Sequence, residues 1–282
     1  MNKQKISFSL GLGAAAMILG AAIVQAVAIP LAFDKGGHYF AIHSPLPLIA
    51  SLLALFGGAL GIGASVLADK QTLSPTPFSP PLSSLPSAVG FAVGGIAVLL
   101  SAPSSLGTLA GILLLFSALY ALTFSFGSQS EEKKKSFAAL GAAPVLAFAL
   151  LNAHLYFDVT VEMNAPIKVT AQTALLFAML AYTGEIRFLL GRAMPRLYLS
   201  LAFCTLAASA LCALPFSLSY LLGLTDRLDY AGVAFMLGLI SVTLIARILS
   251  LLPLQKKSFD APLDASEENS LDYAEQEDNE AL

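Results

Sequence analysis

The sequence predicts an all-α, polytopic transmembrane helix bundle of eight spans with the N- and C-termini cytoplasmic, and three observations predict it. The first is composition. Of 282 residues, 57% are hydrophobic and 12% charged, whereas soluble domains carry about 25% charged residues. The second is arrangement: the apolar residues come in long uncharged blocks, not at the helical or strand period of a half-buried element. About 20 such residues let a helix cross about 30 Å of hydrocarbon while satisfying its own backbone. The third is the placement of lysine and arginine between the blocks.

The predicted spans are Ile6–Phe33, Pro45–Ala68, Ser87–Ala102, Leu106–Phe126, Phe137–Phe157, Val169–Leu190, Leu197–Leu224 and Tyr230–Leu252. With their connections they make residues 1–257 one transmembrane domain. Lys3 and Lys5 precede the first span, which contains the peptidase-like triplet Ala26-Val27-Ala28. Its apolar run is far longer than a signal-peptide core and lacks a polar end, so it is read as uncleaved. The third span is the shortest. Pro103-Ser104-Ser105 ties it closely to the fourth, giving a full hairpin or, as the alternative, a re-entrant one.

Basic residues near span ends stay on the cytoplasmic side. With the N-terminus inside, the cytoplasmic segments hold Lys3, Lys5, Lys70, Lys133, Lys134, Lys135, Arg187, Arg192, Arg196, Arg247, Lys256 and Lys257, leaving Lys35, Lys168 and Arg227 outside. Adding or removing one span scrambles that asymmetry, so it independently favours an even number. Tyr39, Tyr156, Tyr220 and Tyr230 fall near the outer interface and Tyr120, Tyr182 and Tyr198 near the inner one, as an aromatic belt would.

Two segments are expected outside the bilayer. Ser74–Ser87 contains Pro75, Pro77, Pro80, Pro81 and Pro86 and reads as an extended, polyproline-like linker. Residues 258–282 read as a disordered acidic cytoplasmic tail: from Asp260 on they carry acidic residues and no lysine or arginine. The plain role of that tail is solvation; the functional one is docking of a basic partner.

The first four spans have essentially no ionisable groups and read as packing helices. Gly57 and Gly61, and Gly90 and Gly94, have the four-residue spacing that lets helices approach closely. Cys204 and Cys212 are too far apart on one helix to bridge and read as small apolar groups. The last four spans hold the polar residues, in two clusters. An outer one comprises Asn152, His154, Asp158, Glu162, Asn164 and Gln172. His154 and Asp158 share a helical face, where a carboxylate could hold an imidazole; the cluster is either a proton-sensitive or cation-binding entrance or simply a wetted rim. An inner one comprises Glu185, Arg187 and Arg247. Glu185 and Arg247 fall at similar depth and could pair, as a structural clamp or as a gated ion pair. Gln172 and Glu185 point to different sides of one helix, whereas Gln172 and Arg187 could share a face.

No nucleotide-binding glycine loop, zinc helix or nucleophile elbow is present. His38, His43 and His154 are too scattered to suggest a metal centre. No cofactor is implied, and no nucleophile and base can be paired, which leans against an enzyme. The stretch Leu155-Tyr156-Phe157-Asp158 through Met163-Asn164-Ala165-Pro166 and Lys168, with Glu185-Ile186-Arg187 and Gly191 to Tyr198, resembles uncharacterised multi-pass membrane proteins of anaerobic Gram-positive bacteria. The likeness covers about a sixth of the chain. It implies a bacterial plasma membrane and no particular activity.

Two functions stay open. One is a membrane-embedded partner or sensor subunit, in contact with the lipid bilayer and with another membrane or cytoplasmic protein. The other is a small-solute or ion permease using polar residues of spans five to eight, with Pro144 and Pro215 as helix break points. Nucleic acid is not an expected partner.

Overall fold

A computed structural model describes residues 3–33, 40–41, 43–68, 73, 81–101, 104–126 and 137–251. The acidic tail, most of the proline-rich linker and the Lys133 loop lie outside the described residues. The elements are α1 (Lys3–Ala32), α2 (Leu46–Leu67), α3 (Leu85–Ser101), α4 (Ser105–Phe126), α5 (Ala142–Phe157), α6 (Pro166–Leu189), α7 (Pro195–Ala210), α8 (Ala213–Leu221) and α9 (Leu228–Leu251), with a 3₁₀ turn at Pro81–Ser84 before α3. No strand is found among the described residues beyond an isolated bridge between Phe33 and Phe40. By length and composition, seven helical stretches could cross a membrane. α6 has comparable length, 24 residues, but carries Lys168, Gln172, Glu185 and Arg187 and falls outside that set.

Prolines and glycines explain the boundaries. The third predicted span starts earlier than expected, giving a helical stretch Leu82–Ser101 of 20 residues. The linker is therefore not extended over residues 81–87, as the sequence suggested. Pro81 and Pro86 sit in the first turns of the 3₁₀ and α-helical pieces, where a missing N–H costs nothing. Pro215 forces a break between α7 and α8 at Leu211–Cys212, because its ring removes the hydrogen bond to the preceding turn. A second break falls at Gly141, three residues before Pro144. α6 ends at Gly191, whose φ of 71° lets Arg192 N–H reach back to the Arg187 carbonyl at 2.9 Å.

α9 is the hub of the bundle and packs on α3, α6, α7 and α8, while α1 lies on α2 and α8, and α2 on α7. Small residues set the closest approaches. A Cβ on Gly90 would stand 3.1 Å from the Met236 carbonyl, one on Gly94 3.0 Å from the Met236 Cβ, and one on Gly232 would overlap the Cβ of Ala97. Gly57 meets α1 at Ile18, and Gly61 meets α7 at Phe203. Both glycine pairs thus seat a neighbouring helix. The outer surface of α1 and α2 is apolar and exposed, as at Leu31, Leu48 and Leu55, which suits a bilayer rather than water.

Candidate functional site

The polar side chains gather at the two ends of α9. Asp229 and Arg247 stand five helical turns apart, about 27 Å at 1.5 Å per residue, so they leave the same side of the helix. That separation is close to the thickness of the hydrocarbon core.

At the inner end, Glu185 of α6 and Arg247 of α9 form an ion pair through Oε1 and Nη1, both side chains at most 1% exposed. Tyr198 of α7 donates its hydroxyl to the same Oε1 at 3.0 Å. Arg247 Nη2 donates to Ser84 Oγ at 3.0 Å, and its guanidinium carbon is 6.0 Å from the centroid of the Tyr182 ring. Ser87 N–H donates to Thr243 Oγ1 at 3.0 Å, fixing the start of α3 against α9. Glu185 Oε2 is buried without a hydrogen-bond partner. Charges this deep in a bilayer are costly unless paired, and the arrangement pairs them.

Two expectations change here. Arg187 is not part of this cluster; half-buried at the end of α6, it turns its Nε toward the Arg192 carbonyl at 3.5 Å. Tyr120, Tyr182 and Tyr198 do not form a lipid-facing belt, each being 1% exposed. Tyr198 turns its hydroxyl to the buried carboxylate and Tyr182 its ring toward the buried guanidinium. Ser84, in the turn before α3, and Ser87, in its first turn, add uncharged contacts to α9.

At the Asp229 end of α9 the central residue is Arg227, which the sequence offered only as an outside charge. Its Nε and Nη2 donate to the two carboxylate oxygens of Asp229 at 3.0 and 2.7 Å. Nη2 also donates to Asp158 Oδ2 at 2.6 Å, and Nη1 to the Thr160 hydroxyl. The guanidinium carbon lies 4.8 Å from the Tyr230 ring centroid, and Tyr230 hydroxyl donates to Asp158 Oδ2 at 3.3 Å. Tyr230 is therefore buried, not part of an outer belt. Arg227 straps the segment after α5 to the start of α9. Lys168 backs the strap: 1% exposed, its ammonium donates to the Asp158 and Val161 carbonyls at 2.6 and 3.2 Å.

His154 faces Asp229, rather than Asp158 on its own helix. Its Nδ1 is 2.9 Å from Ser104 Oγ, and its Nε2 is 3.9 Å from Asp229 Oδ2. That Nε2 is buried and has no hydrogen-bond partner. A pocket of about 790 Å³ opens here, lined by Ser104, Leu106, His154, Phe157, Asp158 and Asp229 among others. Asn152 donates to the backbone carbonyl of Gln172 at 3.2 Å, so both take structural positions away from the pocket. Glu162 and Asn164 are exposed loop residues. The missed members, Ser104, Arg227 and Asp229, lie just outside the apolar blocks. The pattern Arg227-Leu-Asp229-Tyr230 was the available signal, charges set at the first turn of a span.

Burial pushes the Asp158 carboxyl up, but hydrogen bonds from Thr160 and Arg227 outweigh it and hold it at about 2, below its ordinary 3.8. Arg227 is held above its usual range: burial works against its charge, and Asp229 and Asp158 more than offset it. The Asp158 contacts thus stabilise the fold fully above about pH 4 and lose their effect as pH falls toward about 2. Melting temperature should fall over that window in the native chain, and the fall should shrink in Asp158→Asn. Equal acid sensitivity of the two proteins would remove Asp158 from this account.

Between the two clusters most buried side chains are apolar, and the mid-span hydroxyls of Ser117 and Thr205 donate to carbonyls of their own helices. Phe91, Phe148 and Tyr182 pack ring on ring with centroids 5.6 to 5.7 Å apart. Leu151, Ala174, Ala178, Val233, Met236, Leu237 and Ile240 are fully buried beside them. Among the described residues no group of three or more His, Cys, Asp or Glu is placed to hold a metal ion. The fold and its paired buried charges define a multi-pass helical membrane protein. No family model, no curated protein and no solved structure matches the chain.

Proposed function

We propose that this chain is a membrane-embedded sensor subunit of a bacterial plasma membrane, with eight spans and both termini cytoplasmic. The pocket at His154 and Asp229 then faces the exterior and receives the signal. α9 carries it to the Glu185–Arg247 pair near the cytoplasm, where the basic connections offer a partner protein its contacts. The observation that carries this reading is the packed apolar layer separating the two clusters. A permease would need a polar path or broken helices at that depth. The break at Leu211–Cys212 lies one turn outward of the middle of its span, and Phe216 beside it packs on Phe33, with ring centroids 6.4 Å apart.

Cysteine accessibility tests this. In a chain with Cys204 and Cys212 changed to alanine, Ala174→Cys, Ala178→Cys, Leu237→Cys and Ile240→Cys should not react with a charged, water-soluble thiosulfonate from either side. Reaction at two or more of them would turn the assignment to the permease reading. Reporter fusions in successive connections check the orientation, with the Lys133 connection and the C-terminus expected inside.

A further inference from the structure

We propose that His154 and Asp229 form a binding site for one proton drawn from the external solution, and that filling it loosens the Arg227 strap. The proposal deepens the sensor reading and rests on its orientation. The ring of His154 is fixed on one side, because Ser104 Oγ both meets Nδ1 at 2.9 Å and accepts the Gly107 N–H at 3.1 Å. On the other side the 3.9 Å gap to Asp229 Oδ2 is too long for a hydrogen bond and too short for a water to bridge. The buried Nε2 is thus aimed at a carboxylate it does not yet engage. In the tautomer that carries its proton on Nδ1, the site is one proton short of a complete pair.

Charged groups face the site from several elements. The helix bearing His154 ends at Asp158; the segment before α9 brings Asp226 and Arg227; α9 brings Asp229 and Tyr230; and α6 brings Lys168, whose ammonium is spent on two backbone carbonyls. Three aspartates therefore stand against two cations, and α4 adds only the uncharged Ser104 at its start. Histidine is the side chain whose charge changes between about pH 5 and 8. With both ring nitrogens protonated, Nδ1–H has Ser104 Oγ as its acceptor and Nε2–H closes on Asp229 as a charge-assisted hydrogen bond. Asp229 then shares its Oδ2 between His154 and Arg227, which weakens one side of the strap. Arg227 keeps Asp158 and Thr160. The start of α9, five turns from Arg247, gains freedom relative to the segment after α5.

The full chain in nanodiscs, labelled at histidine, tests the site by nuclear magnetic resonance, with His154→Gln identifying the signal among the three histidines. The His154 ring should take up a proton between pH 8 and 5. In Asp229→Asn the ring should hold that proton about tenfold more weakly. A ring that stays neutral to pH 5 in the native chain, or an unchanged midpoint in Asp229→Asn, overturns the proposal; the first result does not depend on any variant folding. A nitroxide on Val159→Cys, a position 93% exposed, should become more mobile on acidification, and not in His154→Gln. Equal mobility at both pH values would overturn the loosening. In sealed vesicles, acid on the face opposite the Lys133 connection should produce the response. A response to acid on the Lys133 side would leave the proton site standing and overturn the orientation.

Discussion

Glu185→Gln should destabilise the protein by about 3 to 5 kcal/mol, the cost of leaving one member of a buried ion pair without its partner. Glutamine still offers Tyr198 and Arg247 an acceptor oxygen, but it removes the negative charge. Arg247 remains charged at any accessible pH and, at 1% exposure, has no route to water. Arg247→Leu should cost less, because the carboxyl group left behind can take up a proton and become neutral. The lost contact with Ser84 adds to that cost. The two changes together should cost less than their sum, since the double variant leaves no unpaired charge. Melting of the four proteins in nanodiscs measures the coupling. Strict additivity would show that the pair contributes nothing as a pair.

Gly232→Leu is expected to be the most damaging single change outside the polar clusters. A Cβ at this position overlaps the Cβ of Ala97, an atom fixed to the α3 backbone, so no rotamer change relieves it. The helices α3 and α9 must separate, and Gly94 and Met236 lose their contact with them. Overpacking of this kind typically costs about 1 to 3 kcal/mol, and a rigid neighbour puts it at the upper end or beyond. Gly63→Leu is the control, because nothing lies within 4 Å of a Cβ there. Comparable melting of the two variants would mean that α3 and α9 are not held as closely as described. Because Arg247 and Ser84 join across the same interface, Gly232→Leu should also weaken the inner pair.

The sequence alone determined that the chain is helical and lies in a membrane, because hydrocarbon admits few structures and long uncharged blocks meet its demand directly. It also singled out Glu185, Arg247, His154 and Asp158, since ionisable groups next to apolar blocks are rare enough to notice. It matched Glu185 with Arg247 by depth, and the two do pair; what it could not supply was the partner of His154 and of Asp158. Helical spacing suggested His154 with Asp158, yet the imidazole turns to Asp229, an aspartate far along the chain, because the end of α5 comes within side-chain reach of the first turn of α9. The tyrosines were assigned to lipid interfaces by depth, yet rotation about each helix axis turned Tyr120, Tyr182, Tyr198 and Tyr230 inward. Depth is set by position along one helix and can be counted from residues. Facing and partnership are set by which helices touch, through glycines such as Gly90, Gly94 and Gly232, and that was decided only by the tertiary structure.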